Sequence, residues 1–196
     1  MKRFFIELIG TFFLTLALAL TGNPLCYGLI FAAVIYLGAH ISGGYYNPAI
    51  SVALYMRGKH KREHLAHAVL GQLAGAMIAL YAVAKGAARP FSLNVDPANV
   101  PFACLLEILL AFLLCAVVLS LVAQKNKDHL GLIAGFTLMA LGYIIPGAFN
   151  PAISLGNQIL CALHGAPVDV NALIVYFIAP FVGGGIAALI YDKYQD

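Results

Sequence analysis

Two stretches of this chain open with the same five residues, Asn-Pro-Ala-Ile-Ser, at 47–51 and again at 150–154. Each begins an apolar run of about ten residues, roughly 48–57 and 151–161. At about 1.5 Å per residue such a helix is about 15 Å long, half of the roughly 30 Å hydrocarbon core of a bilayer. Neither run can cross a membrane alone. Yet the chain is 62% apolar and only 10% charged, and a soluble domain carries roughly 25% charged residues. The other apolar runs are long enough for membrane spans, so the chain reads as an all-α integral membrane protein.

Six spans are expected, at about 4–21, 25–39, 63–84, 101–123, 130–145 and 170–191, with the two short runs as re-entrant half-helices. The start "MKRFFIELIGTFFLTLALAL" has the basic end and apolar core of a signal peptide. Glu7 within the apolar region, and no small-residue cleavage pattern, favour a retained first span. Lys2, Arg3, Arg57, Lys59, Lys61, Arg62, Lys125, Lys127 and Lys193 fall on one side of this arrangement, against Lys85 and Arg89 on the other. Basic residues collect in cytoplasmic loops, so both termini are expected in the cytoplasm and the protein in the plasma membrane. The net charge of +3 belongs to these loops; the partner it suggests is the lipid bilayer, not nucleic acid.

The two halves repeat. Glu7 in "FFIELIGTF" is answered by Glu107 in "CLLEILLAF", and "GQLAGAMIALY" by "APFVGGGIAALIY". Three spans per half is an odd number, so the second copy is inserted upside down. Inverted repeats with broken helices build their functional site near the midplane. The chain is expected to be one domain, 1–196, with a first repeat at about 1–84 and a second at about 101–196.

Asn at a helix start accepts hydrogen bonds from free N–H groups, and Pro suits the next position. Asn47-Pro48 and Asn150-Pro151 therefore read as N-caps followed by first helical residues. Ala49 and Ala152 are small enough for the two tips to approach; Ser51 and Ser154 fall in the first turn, where backbone satisfies a hydroxyl. Both N-termini then sit at the bilayer centre, each like about half a positive charge. The Asn amides are expected to point into the gap, and the irregular segments "HISGGYY" and "YIIPGAF" to present a ladder of carbonyls. Such backbone is tolerated at membrane depth where it is buried or lines a wet cavity. Acceptors leading to a central donor pair suit neutral hydrogen-bonding solutes and repel cations.

In these motifs, taken in order over nearly the whole chain, the sequence resembles the aquaporin (major intrinsic protein) family. The resemblance implies a right-handed bundle of six helices and two half-helices, a homotetramer with one pore per protomer, and passage of water. It also implies an outer selectivity filter. Matching by motif puts Tyr27 on the second span, Leu141 on the fifth (Gly142 if the register slips), Gly147 in the outer loop, and Ile153 where the family has an arginine. The outer loop is also shorter than the family's. Without that arginine the filter is expected to be less polar and wider, permissive to small neutral solutes such as glycerol or to dissolved gases. The pair Tyr176-Phe177 resembles the family's water-selective branch.

The remaining candidates support the pore. Glu7 and Glu107, inside spans, are expected to accept from re-entrant loop N–H groups; Gln72 is expected to satisfy loop backbone. His40 precedes "ISGG" and reads as either a pore-lining or a helix-end residue. Gly71, Gly75, Gly183, Gly184 and Gly185 read as close helix contacts. The run "RGKHKREH" holds His60 and His64, with His67 just beyond it, but also four cations, which argues for a solvated loop over a metal site. Cys26, Cys104, Cys115 and Cys161 have no metal-ligand spacing. No nucleophile–base pair, nucleotide loop or cofactor motif points to an enzyme. The competing readings are a non-conducting structural membrane protein of the same fold and a coupled transporter, which would need a charged site at the midplane.

Overall fold

In the computed structural model, residues 1–58, 60–86, 91–124 and 128–193 are described, apart from the side chains of 192 and 193. Lys59, Arg89, Lys125 and Lys127, and the side chain of Lys193, used in the charge argument, lie outside the described residues.

The elements in chain order are α1 (Lys2–Thr21), α2 (Pro24–Gly38), α3 (Pro48–Met56), α4 (Arg62–Gly86), a 3-10 turn (Pro97–Asn99), α5 (Val100–Ala123), α6 (Leu130–Ile144), α7 (Pro151–Leu163), α8 (Val170–Ala172), a π-helical stretch (Leu173–Ile178) and α9 (Ala179–Lys193). The last three run on as one apolar helix, Val170–Tyr191, long enough to cross a bilayer. So are α1, α4 and Pro97–Ala123. The helices α2 and α6, 15 residues each, are about 22 Å long, and each feeds an irregular segment that leads to a half-helix. The exteriors stay apolar: Phe5, Phe13, Leu29, Phe102, Leu109 and Leu189 are all exposed. In water that surface would be unstable; in lipid it is the required one.

Starts and stops follow local chemistry. Asn23 caps α2, accepting from Leu25 N at 2.9 Å, and Pro24 follows it. Gly22 ends α1 in the left-handed conformation with φ 56°, where glycine is at little cost.

The helices pack in a symmetric pattern. α1 lies against α4 and α5 against α9, while α2 and α6 cross between the halves. Small residues set these approaches. A side chain at Gly71 or Gly75 would strike the carbonyls of Phe4 and Leu8, and one at Gly183 the carbonyl of Ile108. Gly28 and Gly135 do the same for each other, each facing the other's carbonyl across the α2–α6 crossing. Gly184 abuts the Ala49 carbonyl and Cys115, but a side chain at Gly185 would meet nothing within 4 Å. The expectation of a close contact at Gly185 is therefore corrected: it faces outward. The half-helices interlock the repeats, α3 packing on α9 and α7 on α4.

Candidate functional site

The tips of α3 and α7 meet inside the bundle, and each is built by the same local device. Tyr46 and Phe149, the residues before the two asparagines, have φ of 50° and 49°. A non-glycine residue in this region costs on the order of 1–3 kcal/mol and persists where its surroundings hold it. Here they do. Tyr46 N donates to Glu7 Oε2 at 2.8 Å, and Phe149 N donates to Glu107 Oε1 at 2.9 Å. The left-handed turn then sends each carbonyl the other way, toward the opposite half.

Asn47 Oδ1 accepts from Ala49 N at 2.9 Å and Asn150 Oδ1 from Ala152 N at 3.1 Å, so both cap their helices. Their amide nitrogens cross over: Asn47 Nδ2 donates to the Phe149 carbonyl at 2.6 Å, and Asn150 Nδ2 to the Tyr46 carbonyl at 2.8 Å. This corrects the expectation that the amides point freely into a gap. One hydrogen of each ties the two loops together, and the asparagines are only 3% and 1% exposed. The carbonyl ladder is partly committed as well, since Ala148 O accepts from the Tyr27 hydroxyl at 2.9 Å and Ser42 O from Arg3 at 2.7 Å. Pro48, Ala49, Pro151 and Ala152 are buried at the tips.

The two buried glutamates differ in their partners. Glu7 accepts from Ser42 Oγ, Tyr45 N, Tyr46 N and Gln72 Nε2. Glu107 accepts from Phe149 N, and its Oε2 has no partner. Gln72 Nε2 donates to Glu7 and to Ser51 Oγ at 3.0 Å, so it braces side chains instead of satisfying loop backbone as expected. Ser51 is held by Gln72, whereas the Ser154 hydroxyl is buried without a partner, contrary to the expected backbone bond. The difference traces to the sequence: Gly75 of α4, packed on α1, and Gly183 of α9, packed on α5, make equivalent contacts, and three residues earlier stand Gln72 and Pro180.

Cavities lie on both sides of the tips. Opposite the N-terminal side, Tyr27, Gly147, Pro146, Leu93 and Tyr176 line one of about 210 Å³. Ile153, in the first turn of α7, and Leu141 on α6 are both buried in the interior. Leu138, one turn before Leu141, is buried on the same face of α6; the interval of three or four residues between apolar positions could have marked both. Gly142 faces Pro24 on α2 instead. On the N-terminal side a polar cavity of about 230 Å³ is lined by Arg3, His40, Ser42, Tyr45, His60 and His64. His40 is exposed there. His60 packs edge-on against Tyr45 with ring centroids 5.0 Å apart and is 8% exposed, so this part of the loop folds inward instead of being wholly solvated. Among the described residues no cluster of three or more His, Cys, Asp or Glu is placed to hold a metal.

A helical bundle in which two half-helices meet tip to tip between spans is the architecture of a membrane channel. The chain belongs to the major intrinsic protein family, whose profile matches residues 15–191. It is 30% identical over 185 residues to aquaporin TIP2-1 of Arabidopsis thaliana, covering 89% of this chain and 72% of that one. It is equally 30% identical over 210 residues to glycerol uptake facilitator protein-like 6 of Lactiplantibacillus plantarum, covering 96% and 95%. The aquaglyceroporin of Plasmodium falciparum has the same fold, with a TM-score of 0.81 at 21% identity over 98% of this chain and 96% of that one. The chain is a membrane channel protein and not an enzyme.

Proposed function

We propose that this chain is a passive channel for water that also admits small neutral solutes such as glycerol. The observation that carries the reading is the pair of capped half-helix tips joined by the crossed asparagine bonds, with a cavity on either side. The names of the relatives support it, one a glycerol uptake facilitator-like protein and another an aquaporin. Each Asn amide retains a second hydrogen, the central donor a solute would meet. Two helix N-termini pointing at one place make the midplane positive, which disfavours cations.

In this reading Tyr27, Leu141, Gly147 and Ile153 form the outer selectivity filter, and His40 lines the opposite mouth. Tyr27 offers its ring, because its hydroxyl is committed to Ala148. Ile153 contributes hydrocarbon where an arginine would contribute donors and a charge, so the filter selects less by hydrogen bonding and more by size. Glu7, Glu107 and Gln72 hold the loops that carry the asparagines. The protein works as a homotetramer of single-domain protomers in the plasma membrane, with both termini cytoplasmic.

The test is swelling of proteoliposomes in glycerol and in impermeant osmolyte, for the wild type and Ile153→Arg. The expected result is glycerol flux above empty liposomes in the wild type and at least tenfold less in the variant, with water flow still measurable. A donor and charge in a constriction alter a barrier by roughly 1–3 kcal/mol, enough for that change. Equal glycerol flux in the two proteins would remove Ile153 from the filter.

A further inference from the structure

The basic stretch between α3 and α4 does not spread wholly over the surface, because part of it closes the polar cavity on the N-terminal side. Four separate pieces of chain meet there. Arg3 comes from the first turn of α1, His40 from the segment after α2, His60 from the loop after α3, and His64 from the first turn of α4. Together they border about 230 Å³, room for several groups the size of a water at about 30 Å³ each. The charge balance is one-sided. The described lining holds one arginine and three histidines but no Asp or Glu. Of the neighbouring carboxyls, Glu7 is buried with its oxygens accepting from Ser42, Tyr45, Tyr46 and Gln72. Glu63 borders an adjoining cavity with Lys2 and His67.

The donors are held in place. Arg3 Nη1 donates to the Ser42 carbonyl at 2.7 Å, which orients the guanidinium and leaves its other N–H groups for a second partner. His60 is 8% exposed and packs edge-on against Tyr45, and its ring centroid lies 6.2 Å from that of His64. Its Nδ1 is buried without a partner. A hydrogen there would be a buried donor with no acceptor, so the neutral ring keeps its hydrogen on Nε2. The backbone N–H groups of Ile41, Ser42 and Gly43 are already bonded to the carbonyls of Gly38 and Ala39, so an occupant is held by side chains. Groups of one sign around one space repel each other, and His60 registers this: burial first, then the nearby Arg3 and His64, lower its pKa to about 4. An occupant with negative charge offsets that repulsion. A tetrahedral oxyanion has acceptors enough to meet donors from four directions, and a guanidinium pairs with it through parallel N–H bonds.

We propose that this cavity binds a small oxyanion of the phosphate class, inorganic phosphate or a phosphomonoester, with Arg3 as its anchor and His40, His60 and His64 as donors around it. His40 and Tyr45 also line an apolar cavity among α2, α5 and α6, so the site adjoins the mouth that the pore reading gives to His40. Binding itself does not rest on that reading. A lipid headgroup carries the same chemistry as the free anion, and the experiment separates the two sources.

The probe is inorganic phosphate, titrated by calorimetry into the purified protein in phosphatidylcholine nanodiscs and followed in parallel by melting, against chloride at equal ionic strength. The expected result is saturable binding and a melting midpoint raised by about 3 °C at ten times the dissociation constant. Arg3→Gln weakens binding at least tenfold. His60→Phe, which keeps the ring contact with Tyr45, weakens it about fivefold, the effect of one hydrogen bond. Lys61→Gln removes a charge from an exposed residue outside the described lining and changes binding less than twofold. Phosphate also stabilises proteins by exclusion from their surface, but that effect does not saturate and survives in every variant. Nanodiscs containing phosphatidic acid are then compared with ones containing phosphatidylglycerol, which lacks the phosphomonoester. Equal phosphate affinity in the two marks the free anion as the ligand, and displacement by phosphatidic acid alone marks a headgroup on the same donors; both support the assignment. Binding that is absent from folded wild type, that does not saturate, or that is unchanged in Arg3→Gln and His60→Phe overturns it. Water flow is a separate readout, so a protein that binds phosphate and does not conduct would contradict the channel reading alone.

Discussion

At the scale of single residues, Asn47 and Asn150 each do two jobs with one side chain. The oxygen caps a half-helix and the nitrogen ties that half-helix to the opposite loop. Asn150→Ala removes both, and a lost N-cap alone costs about 0.5–2 kcal/mol. The expected outcome is a clear drop in the thermal midpoint of the purified protein. Ser154→Ala, one turn on, removes a hydroxyl that has no partner and is expected to leave the midpoint unchanged or raise it. Melting curves in detergent compare the two. The capping role was legible in the letters, since Asn followed by Pro has few other uses at the start of an apolar run. The crossed bonds were not, because an amide's partner 102 or 104 residues away leaves no trace in local sequence. The same limit hid the empty oxygen of Glu107: two glutamates in matching motifs look equal until Gln72 and Pro180 are seen to answer each other.

At the scale of elements, periodicity and punctuation carried most of the information. Apolar run lengths gave the spans to within a few residues, and the half-length runs could be nothing but α3 and α7. What they concealed was packing. Gly28 and Gly135 set the α2–α6 crossing, yet a lone glycine inside an apolar run is indistinguishable from Gly185, where a side chain would meet nothing within 4 Å. The loop between α3 and α4 holds a similar surprise in His60, in a basic stretch that reads as solvated. Burial, followed by the nearby charges of Arg3 and His64, lowers its pKa to about 4 from the ordinary 6.5. Between those values the unfolded chain takes up a proton that the folded loop refuses, so stability is lost as pH falls through that window. The expected outcome is a melting midpoint that declines from about pH 6.5 toward pH 4, with a shallower decline in His60→Phe, which keeps the edge-on contact with Tyr45. A His60→Phe profile parallel to the wild type would show that other groups control the acid limb.

At the scale of the whole molecule, the inverted repeat places the site. Neither half completes it: each asparagine reaches the other half's loop, and each half-helix packs on a span of the other half. The apolar exterior puts this arrangement in lipid, and a cavity lies on either side of it. The duplicated pentapeptide implied that geometry because two helices too short to span must end inside the bundle. The proposed filter was less legible, since Leu138 and Leu141 share one face and only packing shows both buried. The central claim is that the joined tips border a continuous water path. Osmotic water permeability of purified protein in liposomes, followed against temperature beside protein-free liposomes, tests it most directly. The account predicts flow well above the protein-free rate with a weak temperature dependence. Flow equal to bare lipid, with the steep temperature dependence of lipid, would contradict it.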